Sequence, residues 1–150
     1  MAQPKTFNGS KILIKIGDGG DPETFATKCT INASRSVQGT ATTVDTVVPD
    51  CDDPDAPAWT EREKDALSYT LTGDGVHDAG DIAFFTEFLE QAASRNCEVI
   101  VADGLDGAFK LSGKFHLTDY QVSGARKEKA QGSMTFISDG VVTRAPVPAA

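Results

Sequence analysis

Phe109-Lys-Leu-Ser-Gly-Lys-Phe-His-Leu-Thr118 decides the fold class. Phe109, Leu111, Gly113, Phe115 and Leu117 alternate with Lys110, Ser112, Lys114, His116 and Thr118, and a period of two marks a half-buried β-strand. The same alternation recurs upstream. In Lys11-Ile-Leu-Ile-Lys-Ile16 the residues Ile12, Ile14 and Ile16 share one face. Gly17-Asp-Gly-Gly-Asp-Pro22 then supplies a turn, after which Phe25, Thr27, Cys29 and Ile31 alternate with Thr24, Ala26, Lys28 and Thr30 as a hairpin partner. Ser36 to Val48 is extended and rich in Thr and Val, whose β-branched side chains suit a pleated surface. Leu67, Tyr69 and Leu71 oppose Ser68, Thr70 and Thr72, an apolar face and a hydroxyl face that end at a turn, Gly73-Asp-Gly75. Further strands are expected at Glu98 to Ala102 and as a final pair, Ala130 to Ile137 and Val141 to Val147.

One helix interrupts this pattern. Asp81 offers an N-cap, Ile82, Phe85, Phe88, Leu89 and Ala92 recur at helical spacing, and Asn96 is placed to end the element. From Ile82 to Arg95 it would be about 21 Å long. One helix amid seven or eight short strands predicts a mainly β fold, an antiparallel β-sandwich or open barrel with one flanking α-helix. At 150 residues and 15.8 kDa, residues 1–150 read as one domain.

Composition bounds the function classes. Apolar residues make up 39% and charged residues 24%, with a mean hydropathy of -0.24, the profile of a globular chain. The apolar runs, such as Val99-Ile-Val-Ala102, fall far short of the about 20 residues that span a bilayer. The opening Met1-Ala-Gln-Pro-Lys-Thr-Phe7 lacks the apolar stretch of a secretory signal, so the chain reads as made and used without export. Fourteen Lys and Arg against 22 Asp and Glu give a net charge of -8, which disfavours a protein that grips phosphates. Cys29, Cys51 and Cys97 are odd in number and form no C-x-x-C pair, so free thiols in a reducing compartment are expected.

No catalytic or cofactor constellation is advertised. Gly73, Gly75 and Gly80 lack the dinucleotide-binding spacing and bring Asp74, Asp78 and Asp81 where a pyrophosphate would sit. Gly17 to Gly20 lacks the Gly-Lys-Ser/Thr ending of a P-loop. His77 and His116 are the only histidines, no His-x-x-x-His pair offers a metal, and no Gly-x-Ser-x-Gly turn presents a nucleophile. The expectation is a non-enzyme with no cofactor.

What stands out is segregated charge. Pro49-Asp-Cys-Asp-Asp-Pro-Asp-Ala-Pro57 can form neither ladder nor helix interior. The insertion from Pro49 to Asp65 holds seven acids against two bases, a net of -5. Asp50, Asp52, Asp53 and Asp55 read as a solvated loop, with a weakly held hard cation as the alternative, since EF-hand spacing is absent. Trp59, the sole tryptophan, reads either as a core plug beneath this loop or as a subunit-interface anchor. Residues 110–129 carry Lys110, Lys114, Arg126, Lys127 and Lys129 against Asp119 and Glu128, a net of +3. Opposite patches on one chain suit head-to-tail contacts between identical subunits; the plainer alternative is two solvated faces.

The order of these features resembles a family. The opening β-pair leads to Ile31-Asn-Ala-Ser-Arg-Ser-Val37, an extended arm through Thr43-Val-Asp-Thr46, the acidic loop and Trp59, then Leu67-Ser-Tyr-Thr-Leu-Thr-Gly-Asp-Gly75. One helix and late strands with Gly113-Lys-Phe115 and Gly132-Ser-Met-Thr-Phe136 follow. This is similar, over roughly residues 7–140, to the major tail tube proteins of long-tailed bacteriophages. The resemblance implies a structural virion protein whose hexameric rings stack into a tube, with strands joined across subunits into a ring barrel through which DNA passes without specific binding. It further implies the tape-measure, tail terminator and baseplate proteins as partners, no membrane insertion, and residence in the virion tail after assembly from the host cytoplasm. Residues 36–65 would be the arm or loop insertion that reaches a neighbouring ring. Asp50, Asp52, Asp53, Asp55, Trp59, Lys110, Lys114, Arg126, Lys127 and Lys129 are the subunit-interface candidates. The rival from another class is a monomeric β-sandwich binding module using the acidic loop for an ion or carbohydrate.

Overall fold

The structure, a computed structural model, describes residues 2–20 and 22–147. Strands β1 (Leu13–Gly17), β2 (Phe25–Thr27), β3 (Arg35–Val48) and β4 (Trp59–Val76) precede α1 (Ile82–Glu90), the one α-helix among the described residues. Strands β5 (Arg95–Val101), β6 (Phe109–Ser123) and β7 (Gln131–Pro146) follow it. All seven strands form one antiparallel sheet in the order β2-β1-β5-β6-β7-β4-β3, which is not closed. The mainly β, antiparallel architecture with one flanking helix is the one the sequence predicts.

The alternating residues supply the core. Ile14 and Ile16 from β1, Val99 from β5, Leu111, Phe115 and Leu117 from β6, Met134 and Phe136 from β7 and Leu71 from β4 are all buried together. Phe85 and Phe88 of α1 lie over them, with ring centroids 5.6 Å from Tyr120 and 5.9 Å from Phe136 respectively. Where no ladder closes the sheet, an arginine bridges it. The Arg35 guanidinium, at the start of β3, donates to the carbonyls of Ile12 (2.8 Å), Ser10 (3.4 Å) and Ile31 (3.4 Å). It thereby ties the β3 edge to the segment entering β1.

Several expectations are corrected. The helix ends at Glu90 rather than Arg95, because Arg95 opens β5 and stacks 5.0 Å from the Phe84 ring. Asp81 makes no cap; its carboxylate instead accepts from Thr30 N–H (3.3 Å) and Thr30 Oγ1 (2.9 Å). Gly73 and Gly75 are not a turn. They lie inside β4, paired with Met134 and Gly132, where the segment around Ile31 and Asn32 packs too close for a side chain. The final strand pair is one strand, β7, which passes through Gly140 (φ 85) at an irregularity opposite Gly113. The hairpin partner of β1 stops at Thr27, and Thr30 is buried. Residues 59–65, expected within the loop insertion, are the first part of β4.

Candidate assembly surface

The β3–β4 hairpin outgrows the sheet that supports it. β3 pairs with β4 along its whole length, from Arg35 opposite Gly73 to Val48 opposite Trp59. β4 pairs with β7 only from Thr70 to Val76. The pairs from Gly39–Tyr69 to Val48–Trp59 therefore form a two-stranded ribbon that no third strand backs, about 33 Å long at the usual rise. From 41 to 48 and from 59 to 67 every residue is exposed. An isolated hairpin of this kind is at best marginally stable in water.

Register sorts the ribbon's side chains into two faces. Beyond the irregularity at Thr42/Thr43, Asp45 lies opposite Arg62, and the two form an exposed ion pair at 3.2 Å. That face continues with Lys64 opposite Thr43. The other face pairs Val44 with Glu63, Thr46 with Glu61 and Val48 with Trp59. Val44, Val47 and Val48 are each about half exposed, and Trp59 is 88% exposed. The reading of Trp59 as a core plug is thereby corrected: it opens a strand at the ribbon's far end, beyond the reach of any core.

The tip, residues 49–58, is open and exposed apart from Ala56 and Ala58. Asp50 accepts from Asp52 N–H (2.9 Å) in a local turn, and Asp50, Asp52, Asp53 and Asp55 all face water. Among the described residues no group of three or more His, Cys, Asp or Glu side chains is arranged to hold a metal ion.

The basic candidates do not form one patch. Lys110 and Lys114 sit in the first half of β6, Lys110 paired with Glu98 at 3.7 Å and Lys114 opposite Asp139 and Asn96. Arg126, Lys127 and Lys129 are exposed in the β6–β7 turn, where Ala130 accepts from His77 N–H at 2.9 Å. That turn lies beside the last residue of β4, whereas the acidic tip precedes its first. Eighteen residues of strand place the two ends about 60 Å apart.

Besides the outer edge of the short β2, two edges flank the central strands unpaired. β5 covers β6 only from Phe109 to Phe115, leaving residues 116–123 free on that side, and β3 has no neighbour on its outer side. Between these edges run β3, β4, β7 and the second half of β6. Their inward residues are the buried Leu71, Met134, Phe136 and Leu117. Their outward positions carry Ser36, Gln38, Thr40, Ser68, Thr70, Thr72, Ser133, Thr135 and Gln121 with the carboxylates of Asp74 and Asp119, and the pair His116 and Ile137 at the margin. Ser36 and Thr72 share a hydrogen bond across β3 and β4. No Lys or Arg stands on this stretch of the outward face, a property that the Ser/Thr alternation at 68–72 signalled for one strand only.

Both histidines bond within the subunit. The His77 ring meets Phe85 edge-on; Nδ1 lies 2.8 Å from the Asp78 carbonyl oxygen, and Nε2 shares a hydrogen bond with the Tyr120 hydroxyl. Burial, and then the Asp81 carboxylate, hold the Tyr120 phenol above its ordinary pKa. His116 Nε2 lies 3.2 Å from an Asp139 oxygen.

Residues 6–144 match the family described as phage tail tube protein. No curated protein matches in sequence. Among solved structures, the tail of an empty gene transfer agent particle, refined with C6 symmetry, superposes with a TM-score of 0.73 at 21% identity, covering 94% of this chain and 100% of that one. The SPP1 tail tube gives 0.57 at 7% identity, covering 93% and 78%. The baseplate of the anti-feeding prophage gives 0.62 at 8% identity, covering 97% of each chain. At these identities the likeness is one of fold.

Proposed function

Since the chain belongs to the phage tail tube protein family and is a structural tail tube protein, we propose that copies of it join edge to edge into rings and stack into a DNA conduit. The observation that carries this is the pair of free edges, β3 on one side and residues 116–123 of β6 on the other. Between them lie four antiparallel strands, an even number, so β3 and β6 run in opposite directions. Rotation about an axis along the strands preserves those directions. The β3 edge of one copy therefore meets the β6 edge of the next as an antiparallel ladder, and a closed ring leaves neither of these two edges open to aggregate. Six copies, as in the C6 tail of the gene transfer agent, would build the barrel.

In that ring the hydroxyl-rich face becomes the inner wall. It carries Asp74 and Asp119, so DNA meets carboxylates and hydroxyls rather than cations. The ribbon, residues 39–48 and 59–69, extends along the tube axis toward the neighbouring ring with the acidic tip leading, while Arg126, Lys127 and Lys129 sit at the opposite end. Lys110 and Lys114 lie on the part of β6 that β5 covers, away from the inner wall. The site of action is the virion tail, after synthesis in the host cytoplasm, with tape-measure, terminator and baseplate proteins as partners. A monomeric module with an ion- or carbohydrate-binding loop is not favoured.

Size-exclusion chromatography followed by negative-stain microscopy tests this reading. Rings or tubes are the expected result. A chain that stays monomeric at all concentrations, including when mixed with preformed tubes, would overturn it.

A further inference from the structure

β4 and β7 part company at Thr70 and Ile137, and the crotch is sealed where Tyr69 N–H donates to Ser138 Oγ at 2.9 Å. Above it opens a groove of about 580 Å³ lined by Leu67, Tyr69, Val141 and Val142, with Ser138 and Arg144 at its polar margin. Leu67 is 74% exposed and Val141 82% exposed. The strand edges that diverge from the crotch, 59–69 of β4 and 138–146 of β7, have no partner on the sides that face each other. Arg144 forms no ion pair among the described residues.

We propose that this groove is the seat of Trp59 from a second copy of the chain. The inference rests on the self-assembly reading above and names the contact that joins successive copies along the strand direction. Trp59 and Val48 form an unpartnered apolar end to the ribbon, and indole is suited to a slot with valine and leucine walls, a tyrosine ring and an arginine head. Charge agrees. The segment flanking Trp59 carries Asp50, Asp52, Asp53, Asp55 and Glu61, and the groove offers the unpaired Arg144. The occupant cannot be the chain's own tryptophan: eight residues of strand separate Trp59 from Leu67, about 26 Å, far more than an indole reaches. A copy displaced along the strand axis by about that distance brings its tip to the groove, and the contact, being heterologous, repeats without limit.

Trp59 is the only tryptophan, so its fluorescence reports on the contact directly. The full chain is compared as free subunit and as tubes verified by microscopy, using emission wavelength and acrylamide quenching. Val141→Asp, at an exposed position that the fold does not need, is compared with it after its thermal unfolding is shown to be unchanged. The expected result is a blue-shifted, several-fold less quenchable Trp59 in native tubes, with Val141→Asp either failing to form tubes or leaving Trp59 as quenchable as in the subunit. In a Cys29→Ser, Cys51→Ser background, Trp59→Cys with Val141→Cys should give an intermolecular disulfide ladder that neither single cysteine gives. Native tubes whose Trp59 stays fully quenchable would overturn the inference while leaving the tube reading intact. So would Val141→Asp tubes that protect Trp59 as native tubes do. A native chain that builds no tubes overturns the reading itself and the inference with it.

Discussion

At Gly75 a β-carbon would stand 2.2 Å from Asn32 Oδ1 and 2.6 Å from the Thr30 carbonyl oxygen, so the glycine is there for an approach made by residues more than forty positions away. Local chemistry could not reveal that, since Gly73-Asp-Gly75 carries the composition of a turn. Phe88 was legible from helical spacing and is 1% exposed, whereas Leu89, on the same expected face, is 39% exposed because the helix stops one residue later. Phe88→Ala should therefore cost about 3 to 5 kcal/mol, and Leu89→Ala less than about 1 kcal/mol, both read by denaturant titration. Equal losses would show that the helix is seated differently. Burial pushes the Cys97 thiol from 9.0 up to about 12, with Glu23 adding to the effect. A folded-state pKa raised in this way leaves stability intact below about pH 9 and erodes it as pH rises toward about 12. Native protein should present Cys29 and Cys51, both exposed, to a thiol reagent and withhold Cys97. Cys97→Ala should lose stability less steeply than the parent between those two pH values.

Elements were readable where alternation is strict. The segments 11–16, 67–71 and 109–117 all announced strands, because each has one face in the core and one in water. The ends of elements were not. α1 stops early because Cys97 and Val99 must be buried on β5, a tertiary demand that outweighs the helical spacing of Ala92. β7 runs on through Gly140, between the two strands expected from sequence, and the glycine takes a positive φ at the irregularity there. The ribbon was legible as an extended arm, though residues 59–65 belong to its strand and not to the loop, for their charges mask a ladder with Val48 to Thr43. Without a third strand, the amides of 39–48 and 59–69 should exchange with solvent far faster in the free subunit than those of β5, β6 and β7, and slow down on assembly. Deleting residues 50–56 should leave a folded subunit, judged by an unchanged unfolding midpoint, that builds no tubes. Tubes of normal length from that variant would remove the tip from the assembly contact.

The molecule as a whole combines a net charge of -8 with an outward face bare of Lys and Arg across β3, β4, β7 and residues 116–123 of β6. Charge was legible from composition; its distribution was not, because residues 110–129, basic in sequence, are split between opposite ends of β6. Purified subunits or tubes should show no DNA shift at physiological salt, since affinity for phosphate needs cations to displace counterions. A complex at micromolar protein that weakens steeply with added salt would place those cations on the wall. The two-stranded ribbon has one more consequence, and it is mechanical. A tube whose rings were joined by thick packed domains would resist bending as a rod does. Joined by ribbons one layer deep, each with an irregularity at Thr42/Thr43 where its ladder breaks step, it would gather curvature into those ribbons, acting as flexures between rigid hoops, and the bore would keep its diameter while the axis bends.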